Sequence, residues 1–169
     1  MGFLGYDARG WGLGRNRGDV LALVPVVADL VTAVAAEHDR PVHAVGWSLG
    51  GVLAREAARE RPEAVRSVLT LGTPVVGGPK YTTVGRRYAR LGVDLDTLEA
   101  SIATREANLP IEVPIMAIYS RCDAVVAWGA CVDRSSPHVE HVEVATTHVG
   151  LGLSPDVYEL VARRLASFR

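Results

Sequence analysis

A chain of 169 residues, 49% hydrophobic and 22% charged with a net charge near −1, has the composition of one globular domain with a single sizeable core. So small a net charge excludes electrostatic steering toward nucleic acid or an anionic membrane surface. No run reaches the ~18 to 20 apolar residues of a membrane-spanning helix. The opening Met-Gly-Phe-Leu-Gly-Tyr-Asp has no basic segment and no cleavable signal pattern, so a cytoplasmic location is expected. The two cysteines, Cys122 and Cys131, match no metal-ligand spacing and read as reduced, partly buried thiols. Neither an internal repeat nor a low-complexity tract interrupts the chain.

Leu4 to Trp11 reads as a weak strand running into the glycine-rich loop Gly12 to Gly18. That loop has neither the G-x-G-x-x-G spacing nor the Lys-Ser/Thr of a phosphate-binding loop. Asp19 is placed to cap a helix that runs to about His38, with Pro25 either kinking it or marking its true first turn. Behind Pro41, Val42 begins an apolar run with the pattern of a short buried strand. It turns at Gly46-Trp47-Ser48-Leu49-Gly50 into a helical pattern that stops before Pro62. Val65 to Leu71 reads as a second buried strand, followed by the turn Gly72-Thr73-Pro74. Periodicity then fades, with modest helical patterns near Thr83 to Leu91 and Asp94 to Arg105. Val113 to Tyr119 and Val139 to Val144 read as strands, and Ser154-Pro155-Asp156 opens a last helix. Strands separated by helical stretches predict an α/β fold: a parallel sheet covered on both faces.

Gly-x-Ser-x-Gly between a strand and a helix has the form of a nucleophile elbow. A serine standing proud of so sharp a turn takes a strained backbone conformation, and the close approach of neighbouring backbone calls for glycine at 46 and 50. In a parallel sheet, active groups gather in loops beyond the carboxyl ends of the strands. Three strand ends carry such groups: Ser48, then Asp123 in Ser120-Arg121-Cys122-Asp123, then His148 in Thr146-Thr147-His148-Val149-Gly150. In those roles Ser48 attacks a carbonyl, His148 takes its proton, and Asp123 orients and stabilises the imidazolium. The Leu49 N–H is one oxyanion donor. Rivals exist: His38, His43, His138 and His141 for the base, and Asp133, Glu140 and Glu143 for the acid. Trp47 and Trp128 are candidates for an acyl pocket, or for indoles filling core space.

The Ser, Asp, His order and four segments together resemble the bacterial α/β-hydrolases of the esterase/lipase kind. The segments are Gly46 to Gly51, Leu71 to Pro74, Ile118 to Asp123 with Val126 and Trp128, and Thr147 to Gly152. The resemblance covers nearly the whole chain, and the run Gly10 to Asn16 looks like a loop following the fourth strand in such proteins. It implies a three-layer α/β-hydrolase-type sheet in a single domain, with a core at 1–76 and 111–169 and a small helical cap at 77–110. It also implies a carboxylic-ester hydrolase acting on a small ester or acyl substrate, with no metal or organic cofactor. An acyltransferase or thioesterase with the same triad, or a non-catalytic binding module, fits the same motifs. The family's strand with its second oxyanion N–H has no counterpart ahead of the Tyr6 segment. A truncated amino-terminal half, an exposed strand edge and weak catalysis are therefore expected.

Overall fold

The computed structural model describes residues 2, 5–14, 16 and 18–167. Ten elements follow in chain order: α1 (Val20–Glu37), β1 (Val42–Trp47), α2 (Leu49–Glu60), β2 (Val65–Leu71), α3 (Gly85–Arg90), α4 (Leu95–Asn108), β3 (Ile115–Tyr119), β4 (Val139–Glu143), α5 (His148–Leu153) and α6 (Pro155–Ser167). The four strands form one parallel sheet in the order β1-β2-β3-β4.

Alternating side chains build the layers, because successive residues of a strand face opposite sides. Val68 and Ile115 point toward α2, where Ala54 and Ala58 lie buried with Val65 and Ile111. Their neighbours Leu69, Leu71, Met116 and Ile118 point the other way, onto Leu151 of α5 and Val157, Val161 and Leu165 of α6. A third cluster joins α1 to α2 through Val24, Val27, Ala28, Leu53 and Ala57. Burial on both faces explains why β3 reads as an unbroken apolar run and why β2 is buried at every position but Arg66.

Helix α1 is capped by Asp19, whose side chain accepts from the Ala22 N–H at 3.2 Å. Pro25 lies inside the helix, so the kink rather than the first-turn alternative describes its position. With a mean hydropathy of 2.0 over 18 residues, α1 is long and apolar enough to cross a membrane by length and composition alone, although Asp29, Thr32 and Glu37 interrupt its apolar run. Here it packs one face on α2.

The strand expected from Leu4 to Trp11 does not form; Leu4 itself lies outside the described residues. Residues 6–12 have no regular structure, and left-handed Gly5, Gly12 and Gly14 interrupt the segment. Tyr6 instead lies against α6 and donates its hydroxyl to the Ala162 carbonyl at 3.3 Å. Among the described residues, strand β1 therefore has a strand partner on one side only. Val42 N–H donates to Ala64 and Ser48 N–H to Leu71, so the even-numbered residues face β2. By alternation, His43, Val45 and Trp47 turn their backbone groups to the open edge.

Between β2 and β3 the chain makes a long excursion through a 3₁₀ turn at Gly78–Tyr81, then α3 and α4. It is tied back in two places. An antiparallel bridge joins Thr82 to Val126, flanked by Thr83 N–H to Val125 O and Ala127 N–H to Tyr81 O, each 2.9 Å. On the opposite side, Arg55 of α2 is 2% exposed and pairs with Glu106 of α4 at 2.8 Å and with Asp133 at 2.7 Å.

Candidate active site

At the end of β1 the backbone reverses sharply into α2. Ser48 holds φ 54 and ψ −124, a conformation that non-glycine residues avoid, while its N–H is fixed to the Leu71 carbonyl at 2.8 Å. The strain expected from the motif is present. Gly46 is required, since a Cβ there would run into the backbone of Gly50 and Gly51. Gly50 is not: a Cβ there meets nothing within 4 Å. The second tight position is Gly51, where the side chain of Thr73 fills the space that a Cβ would take. The crowding argument therefore holds for 46 and shifts from 50 to 51, because β2 supplies the obstacle and a pentapeptide cannot show it. Leu49 is the first residue of α2, so its N–H has no carbonyl to meet inside the helix.

His148 opens α5, a six-residue helix that the sequence reading left as a loop. Thr147 is its N-cap and accepts from the Gly150 N–H at 3.1 Å. The imidazole Nδ1 lies 2.6 Å from Asp123 Oδ2, with the Asp123 side chain 1% exposed. The other carboxylate oxygen accepts from the N–H groups of Val125 and Val126, at 2.8 and 2.9 Å. A carboxylate only accepts, so in a neutral imidazole held this way Nδ1 is the donor and Nε2 keeps its lone pair.

Two residues that lie inside the family-like segments but have no role assigned from sequence bring this pair together. Gly72 follows β2 with φ 56, and a Cβ there would press on Leu151, Asp123 Oδ2 and His148 Nδ1 at 2.7 to 3.2 Å. Buried Ser120 ties the two loops: its hydroxyl donates to the Thr146 carbonyl at 2.5 Å and accepts from the Cys122 N–H at 3.0 Å. Glycine at a strand end was the visible signal for the first. Nothing in sequence singled out the second.

Trp47, the residue before Ser48, reaches His148. The indole Nε1–H donates to the His148 carbonyl at 3.0 Å, and the indole and imidazole rings lie 5.4 Å apart. No hydrogen bond joins the Ser48 hydroxyl to His148 among the described residues. Trp47 and Trp128 do not fill core space; they are 42% and 40% exposed. Trp128 stacks on Tyr119 and lies under the Arg121 guanidinium. Cys122 is exposed and Cys131 buried, both free; burial pushes the Cys131 thiol up to about 12.

Five of the seven rival side chains are engaged elsewhere. His43 Nδ1 faces the Ser67 hydroxyl at 2.7 Å, and burial, with Arg66 and Arg40 nearby, lowers its affinity for a proton. His38 meets Asp7, and Glu143 pairs with Arg121. Glu140 pairs with Arg164, and Asp133 with Arg55. Among the described residues no group of three His, Cys, Asp or Glu is arranged to hold a metal ion.

Parallel strands with a strained serine at the carboxyl end of β1, and an Asp–His pair beyond the ends of β3 and β4, define a class of three-layer α/β protein with its polar groups gathered on one rim. The chain belongs to the alpha/beta hydrolase family, whose sequence pattern matches residues 2–167. The fold resembles a lipase-esterase related protein from Clostridium acetobutylicum, with a TM-score of 0.66 and 16% identity over 96% of this chain and 80% of that one. A monoacylglycerol lipase from Paleococcus ferrophilus gives 0.66 and 12%, over 92% and 78%. In sequence, 56 residues are 48% identical to the pimeloyl-[acyl-carrier protein] methyl ester esterase of Methylococcus capsulatus, 30% of this chain and 22% of that protein. The Aeromonas hydrophila enzyme of the same name is 34% identical over 67 residues, 40% and 25%. The matches span about a quarter of the length of these curated relatives.

Proposed function

We propose that this chain carries the catalytic centre of a serine hydrolase acting on a carboxylic ester, with Ser48 as nucleophile, His148 as general base and Asp123 as its orienting acid. The observation that carries the reading is the 2.6 Å contact of Asp123 with His148 Nδ1, which leaves Nε2 as the ring nitrogen available to take a proton. Esterase and lipase names among its relatives support the ester class.

In this reading Ser48 Oγ attacks the ester carbonyl carbon while His148 Nε2 takes the hydroxyl proton. The carbonyl π bond becomes an oxyanion that the Leu49 N–H meets at the head of α2. The tetrahedral adduct collapses, the C–O bond to the alcohol breaks, and His148 returns the proton to the departing oxygen. Water, deprotonated by the same imidazole, then splits the acyl-enzyme to release the acid and restore Ser48. One oxyanion donor is identified where such sites commonly use two, and one donor is worth ~10² to 10³ in turnover. The excursion at 77–110 serves as a cap, with an open cavity of about 340 Å³ lying between residues 80–83 and Asp123 with its following residues.

The test is turnover of a short p-nitrophenyl ester by wild type and Ser48→Ala. The substitution is expected to lower the rate by about 10³-fold or more, as in triad enzymes. A variant as fast as wild type would refute the assignment.

A further inference from the structure

Trp47 has a feature that neither packing nor the elbow motif explains. It is a large apolar side chain left 42% exposed at the last position of β1, yet its one polar atom is committed. That atom donates to the backbone carbonyl of His148, 101 residues away, at 3.0 Å. The indole also lies beside the imidazole, 5.4 Å between centroids at 37°. The fit against α5 is close: a Cβ on Gly152 would stand 3.0 to 3.2 Å from three atoms of the indole.

Helix α5 needs such an anchor. Six residues are too few for a helix to hold its shape unaided. Asp123 fixes the His148 ring at Nδ1, but a ring held at one atom can still swing with its backbone. The Trp47 bond holds that backbone at a second point. Its donor sits on the residue next to Ser48, one peptide unit or 3.8 Å away at Cα. The turn itself is locked to β2 through Ser48 N–H and Leu71 O.

We infer that Trp47 is a positioning residue, which sets the distance between the Ser48 hydroxyl and His148 Nε2 through its bond to the His148 carbonyl. The inference rests on the proposed roles of Ser48 and His148. Gly152 is its counterpart, leaving room for the indole.

The experiment compares wild type with Trp47→Phe, which keeps a ring and loses the N–H, and with Gly152→Ala, which pushes the indole from the far side. Three quantities are read: kcat and KM for a p-nitrophenyl ester, the rate of Ser48 labelling by a fluorophosphonate, and the histidine ring signals by NMR. Each variant is expected to lower kcat and labelling by about tenfold, as small misplacements of reacting groups do, with KM within about twofold. The double variant should lose little more than either single, because both break one contact. The His148 ring signal should move and broaden, while those of His138 and His141 stay, showing that the fold is intact. Wild-type kcat with an unmoved His148 signal in Trp47→Phe would overturn the inference. If the wild type neither turns over nor labels, the hydrolase reading fails. The inference is then decided by the His148 signal in Trp47→Phe: unmoved overturns it, moved and broadened alone upholds it.

Discussion

At the scale of single residues, the serine turn concentrates the strain of the fold. Ser48 keeps a backbone conformation that costs on the order of 1 to 3 kcal/mol, held by its N–H bond to Leu71 and by the close packing of Gly46 on Gly50 and Gly51. Two substitutions that look alike in sequence should therefore differ in sign. Gly46→Ala forces a methyl into backbone and is expected to cost about 1 to 3 kcal/mol, the usual range for overpacking. Gly50→Ala enters open space on α2 and should be neutral or stabilising by up to about 1 kcal/mol, from helix propensity. Urea denaturation of both variants decides; equal destabilisation would show that the turn is not packed as described. The sequence made the first glycine legible, because strain at a Gly-x-Ser-x-Gly turn follows from local geometry. It misplaced the second, because the obstacle is Thr73, 22 positions further along the chain and invisible from the motif.

At the scale of elements, α2 does two jobs. Its amino end underlies Ser48, and its middle carries Arg55, which binds α4 through Glu106 and the 132–136 loop through Asp133. Burial would raise the Asp133 carboxyl, but the Arg55 charge and hydrogen bonds from the following residues outweigh it and hold it at about 2, against an ordinary 3.8. A folded-state value below the unfolded one stabilises the protein above pH 3.8, and that contribution is lost as pH falls through about 2. The shift corresponds to about 2 kcal/mol. Stability of wild type relative to Asp133→Asn should thus be level above pH 4 and shrink between pH 4 and 2. A difference unchanged across that window would mean that the pair is not formed. Arg55→Met should cost about 3 to 5 kcal/mol near pH 7, by leaving Asp133 buried without its partner. Most elements were legible because each carried its own signal: Asp19 before α1, Pro62 after α2, and the apolar runs of β2 and β3. The Tyr6 segment was not, since a strand needs a neighbour and the glycines at 5, 12 and 14 favour a loop. Helix α5 was missed because six residues with two glycines give no periodic signal, and it forms through Thr147, Trp47 and Leu151.

For the whole molecule, the sheet has two unlike edges. β4 ends in charged residues, Glu140 with Arg164 and Glu143 with Arg121. Among the described residues β1 pairs with β2 alone, and its other edge carries Val45 and Trp47 and no carboxylate or lysine, the kind of edge that pairs with other chains. Val45, 46% exposed, is the position to charge. Val45→Lys is expected to lower concentration-dependent association in light scattering while leaving the melting temperature within a few degrees; unchanged association would place the contact elsewhere.

Parallel strands deliver the loops that carry Ser48, Asp123 and His148 to one rim of the sheet, which is why their order along the chain suggests the proposed site. The most direct check of the account is the site of covalent labelling by a fluorophosphonate, located by peptide mass spectrometry. The account predicts an adduct on Ser48, with its rate cut by about 10³-fold in His148→Ala. No adduct on Ser48, or a rate on Ser48 indifferent to His148, would contradict it.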